Sequence, residues 1–72
     1  MTIHIEYVYN INMTAKEVLK ILKKDGWYVV EIQGSHYQLK HPGKKGRVTI
    51  PFHSGDLKAG TLNSILKQAG LK

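Results

Sequence analysis

The chain contains no cysteine, which excludes a disulfide framework and any thiolate metal site and leaves packing, or a partner protein, to stabilise it. No apolar run approaches the ~20 residues needed to span a bilayer, and no basic segment leads into an apolar core at the N-terminus. A cytoplasmic protein with no membrane association is therefore expected. Acidic residues are scarce and scattered: Glu6, Glu17, Asp25, Glu31 and Asp56 share no short spacing, and no His pair at i, i+4 encloses a Glu. No metal site is expected from such a set. Neither a P-loop nor a dinucleotide fingerprint occurs, so no small-molecule cofactor is expected either.

Against the five acidic residues stand 11 Lys and Arg, giving a formal charge of +6 in 72 residues and a pI near 9.7. Lys and Arg that contact phosphates release condensed counterions, so a small basic domain gains affinity for nucleic acid without reading its sequence. Taken alone, this composition is equally compatible with a well-solvated surface. The length permits one domain with a small core.

Residues 1–12 read MTIHIEYVYNIN, with Ile3, Ile5, Tyr7 and Tyr9 on one face of an extended segment. This is an N-terminal extension, expected as an extra strand, ahead of a domain over 13–72. Thr14-Ala15-Lys16-Glu17 is a capping box, and Ala15, Val18, Leu19 and Leu22 recur at helical spacing until Asp25-Gly26 stops the helix. From Trp27 to Gln33 aromatic and β-branched residues predict a strand, with Tyr28, Val30 and Ile32 on one face.

After Gly34-Ser35 a second strand places Tyr37 and Leu39 inward and His36, Gln38 and Lys40 together outward. Pro42 to Gly46 reads as a turn, and a third strand, Arg47 to Ile50, turns Val48 and Ile50 inward and Arg47 and Thr49 outward. Pro51 ends it, and Phe52 to Ala59 is expected as a loop. Thr61 is the expected cap of a last helix whose apolar face is Leu62, Ile65, Leu66 and Ala69, with Gly70 closing it. Successive short strands without crossovers form an antiparallel meander. The fold class is therefore α+β, with α-β-β-β-α order and a three-stranded sheet carrying both helices on one face. The other face is left polar.

The ordered series Asp25-Gly26-Trp27, Gly34-Ser35-His36, Val48-Thr49-Ile50-Pro51-Phe52-His53 and Leu57 to Leu62, leading into Ile65 to Leu71, resembles the HicA family of bacterial toxin–antitoxin systems. The resemblance runs from Met13 to Lys72. It implies a fold like the double-stranded-RNA-binding domain, cleavage of messenger RNA, a cognate HicB antitoxin, and His36 as the catalytic histidine.

Metal-free RNA cleavage needs one base to take the proton from a ribose 2′-hydroxyl, and histidine, with an unperturbed pKa near 6.5, suits that exchange. Gly34 would admit a phosphate or ribose beside His36, and Ser35 offers a hydrogen bond; each is also what an ordinary turn contains. Lys40, Lys44, Lys45 and Arg47 form the expected RNA-binding cluster, against the plainer reading of a solvated edge. His53 is either a second acid–base group or a loop-stabilising partner, while His41, on the Tyr37–Leu39 face, suits packing or a turn. Two other functions fit the same residues: a non-catalytic RNA-binding module, and an interaction domain whose main partner is a protein.

Overall fold

The computed structural model describes residues 13–72; the strand expected within Met1 to Asn12 lies outside them. Helix α1, Ala15–Lys24, starts at the capping box. Glu17 N donates to Thr14 Oγ1 at 3.2 Å, and Thr14 N donates back to Glu17 Oε1 at 2.8 Å, satisfying two amides a helix start otherwise leaves open. Its buried stripe is Ala15, Val18 and Leu22. Gly26, at φ +107°, turns the chain out of the helix, and a Cβ there would lie 2.7 Å from His41 Nε2. Both conformation and space thus demand glycine.

Strands β1 (Tyr28–Gln33), β2 (His36–His41) and β3 (Lys44–Pro51) form an antiparallel sheet in the order β1-β2-β3, and α2, Ala59–Gln68, follows. The α-β-β-β-α order is the expected one, with the helices on the apolar face. Thirteen buried residues among those described form the core, including Val18 and Leu22 of α1, Leu39, Val48 and Ile50 of the sheet, and Leu62, Ile65 and Leu66 of α2. Trp27, only 2% exposed, belongs to the same cluster. None of the helices among the described residues is long and apolar enough to cross a membrane.

Three boundaries differ from expectation. β1 begins at Tyr28 because Trp27 is drawn into the core. β3 begins at Lys44 rather than Arg47, since Pro42-Gly43 alone makes the turn and His41 pairs with Lys44. α2 begins at Ala59 with Lys58 as its extended N-cap and no side-chain cap hydrogen bond. Thr61 lies inside the first turn, because burial of Leu57 and Leu62 on either side of Lys58 sets where the helix starts.

The largest difference is in β1. Tyr28 pairs with Lys40 and Val29 with Leu39, but the next pair is Glu31 with Gln38, so Val30 is an extra residue forming a bulge. A bulge shifts the phase of a strand by one. Tyr28, Val30 and Ile32 therefore do not share one face: Tyr28 lies outward with Lys40, whereas Ile32 pairs with Tyr37 of the inward set. At the open end of the sheet Ile32 stays 54% exposed.

Candidate functional site

His36 opens β2, immediately after the two-residue turn Gly34-Ser35. Gly34 takes φ +59°, as the first position of such a hairpin turn demands. A Cβ at Gly34 would meet nothing within 4 Å, so the space beside His36 is open. Phe52 N donates to Ser35 O at 2.6 Å, which ties the turn to the end of β3. His36 is exposed and sits between Gln33 on β1 and Pro51 on β3.

His36, Gln38 and Lys40 alternate along β2, paired with Gln33, Glu31 and Tyr28 of β1, and line one face, with His36 and Lys40 about 13 Å apart along the strand. The register against β3 shifts between Leu39 and His41. The neighbouring strands complete that face. Thr49 Oγ1 donates to Gln38 Oε1 at 2.8 Å, and Arg47 Nη1 lies 3.5 Å from Glu31 Oε1, a loose pair on exposed side chains. Gln38 and Thr49 thus fix one another at the centre while His36, Lys40 and Arg47 stand in solvent around them. Lys45 is exposed on the outer edge of β3.

Lys44 is elsewhere. Its Nζ donates to Asp25 Oδ2 at 2.6 Å and to Ala69 O at 2.7 Å, clamping the ends of both helices to the start of β3. A cation on the last carbonyls of α2 also complements the helix dipole. The hydrogen bond and charge of Lys44 hold the Asp25 carboxyl below its ordinary pKa, against partial burial, which raises it. His41 completes the knot. Its Nδ1 accepts from Gly43 N at 2.9 Å, which places the ring proton on Nε2, 2.6 Å from Asp25 O, and its ring meets Trp27 edge-on at 5.3 Å. His41 therefore serves the turn and the packing, and Lys44 is a structural cation on the side away from His36.

His53 is exposed two residues beyond Pro51 and lines a shallow cleft of about 290 Å³ with Asp56, Lys58 and Thr61. The loop is held to the start of α1, Leu57 N donating to Met13 O at 2.7 Å. His53 and His36 thus border the same end of the sheet. No group of three or more His, Asp and Glu side chains among the described residues is placed to hold a metal ion.

Of the site residues expected from sequence, the structure sets His36, Lys40 and Arg47 on one face with the Gly34-Ser35 turn at its end, leaves Lys45 and His53 at its borders, and turns Lys44 to the helix ends. Two residues on this face were missed. Glu31 partly neutralises Arg47, and Tyr28 stands outward beside Lys40. No local signal marks Tyr28 as outward, because its side is set by the register with Lys40 and by the bulge at Val30.

The model of one protein family, described as the HicA toxin of bacterial toxin–antitoxin systems, matches residues 15–71. No curated protein matches the chain.

Proposed function

The chain belongs to the HicA family of bacterial toxin–antitoxin toxins, and from that membership we propose that it is a metal-independent ribonuclease that cleaves messenger RNA. His36 is its general acid–base, and a HicB-like antitoxin restrains it in a type II system. The observation that carries this reading is the position of His36: solvent-exposed at the end of a polar sheet face, beside an open glycine turn and in line with Lys40.

His36 in its neutral form takes the proton from a ribose 2′-hydroxyl. The 2′-oxygen then bonds to the adjacent phosphorus, the bond to the 5′-oxygen breaks, and the leaving oxygen receives a proton from imidazolium or water. The products are a 2′,3′-cyclic phosphate and a 5′-hydroxyl. Lys40 and Arg47 hold the backbone and offset charge on the phosphorane. An antitoxin seated on this face would cover His36 and stabilise the small domain by mass action.

Cleavage of a defined single-stranded RNA in excess EDTA tests the proposal. Wild-type protein is expected to cut and leave cyclic phosphate ends, and His36→Ala to lose about 10² to 10⁴ in rate. RNA that is bound but left intact by wild-type protein would replace the nuclease with a non-catalytic binding module.

A further inference from the structure

The outward face of the sheet is mostly polar; β1 exposes Val30 at the bulge and Ile32 at the open end, and one aromatic ring. Glu31, Gln33, His36, Gln38, Lys40, Arg47 and Thr49 suit a face turned to water, yet Tyr28 stands among them 49% exposed. Every other aromatic side chain among the described residues is engaged. Trp27 is buried against His41, and Tyr37 stacks on Phe52 with ring centroids 4.0 Å apart. Tyr28 has no ring contact among the described residues. Its position is fixed from both sides: Trp27 before it is anchored in the core, and Val29 after it pairs with the buried Leu39.

We propose that Tyr28 is a stacking platform for an unpaired RNA base, with Lys40 holding the phosphate beside it. The inference rests on the ribonuclease reading above. Tyr28 and Lys40 are cross-strand partners, so their Cβ atoms lie about 5 Å apart, a juxtaposition that offers an aromatic surface and a cation to one nucleotide. The pair sits about 13 Å from His36 along β2. The stacked base therefore belongs to a nucleotide flanking the cut, and Tyr28 is a positioning residue for the strand rather than a participant in proton transfer. Stacking on an aromatic ring requires a base freed from a duplex, because paired bases offer their faces only to one another. The face consequently favours single-stranded over double-stranded RNA and is tolerant of base identity at this position, every base having a π-face.

The test uses the full chain carrying His36→Ala, which keeps RNA intact, and a single-stranded oligonucleotide with 2-aminopurine placed in turn at each position flanking the cleavage site. At one position binding is expected to quench the fluorophore. Adding Tyr28→Ala removes that quench and weakens binding by about tenfold, while Tyr28→Phe, which keeps the ring and loses the hydroxyl, preserves both. In the active chain Tyr28→Ala raises KM about tenfold with little change in kcat, and the melting temperature of each variant controls for folding.

A Tyr28→Ala protein that keeps the quench and KM of an actively cleaving wild type overturns the stacking role and leaves the nuclease standing. A wild type that neither cleaves nor binds RNA overturns both. Unchanged RNA parameters together with loss of inhibition by the antitoxin assign Tyr28 to the protein partner and equally overturn the proposal.

Discussion

Asp25 is the residue whose ionisation the fold controls most directly, because Lys44 donates to it from across the molecule. The depressed carboxyl contributes stability in full at pH values above its ordinary 3.8. That contribution is lost as pH falls through the lower value it has when folded. Asp25→Asn is therefore expected to unfold at lower temperature than wild type at pH 7, with the gap closing as both proteins are acidified below about pH 4. Thermal unfolding from pH 7 to pH 2 measures this, and a gap independent of pH would show that the Asp25–Lys44 pair is not its source. His36 differs in kind, since no contact in the described fold depends on its charge. Its substitution is expected to remove chemistry and spare stability.

At the scale of elements, the β1 bulge is the feature with most influence on the candidate site. It lets a strand reading Tyr-Val-Val-Glu-Ile place Tyr28 and Glu31 outward while keeping Val29 and Ile32 on the core side. Deleting Val30 preserves every cross-strand pair and removes the irregularity, so the fold and the outward face should survive. What changes is the edge that β1 forms among the described strands: bulges twist exposed strands away from foreign partners, and the deletion variant is expected to self-associate more strongly than wild type at equal concentration. Sedimentation or light scattering would show this, and a variant that associates no more than wild type would place the protection elsewhere. The same bulge explains why part of the fold was hidden in the sequence. Helix α1 was legible through its capping box and α2 through its 3.6-residue periodicity, though not its start, since Lys58 caps it without a side-chain bond. The stripe His36, Gln38, Lys40 was legible because those residues alternate along β2. An extra residue inside a run of β-branched side chains leaves no mark on composition. Nor was the role of Lys44 legible, since its partners Asp25 and Ala69 are 19 and 25 residues away and only the folded chain brings them together.

For the whole molecule, the +6 charge is unevenly employed. Lys44 is bound into the clamp, whereas Lys40 stands exposed on the outward face and Arg47 is only loosely paired. RNA binding should weaken with salt, and Lys40→Gln should lower the log–log slope by about one. Lys44→Gln should leave that slope unchanged and lower thermal stability instead. Equal slope changes for the two would place Lys44 on the RNA. The outward groups from Tyr28 to Thr49 are carried by a meander of two tight hairpins that ends at Pro51, before α2 begins at Ala59. In the order of synthesis, every group of that face has been added before the first residue of the last helix. A chain cut short ahead of Ala59 would thus carry the full set of outward side chains with no Leu62, Ile65 or Leu66 to lay the sheet against. The ribosome completes the outward face, with α1 already made, before it supplies the second helix of the layer that holds that face in shape.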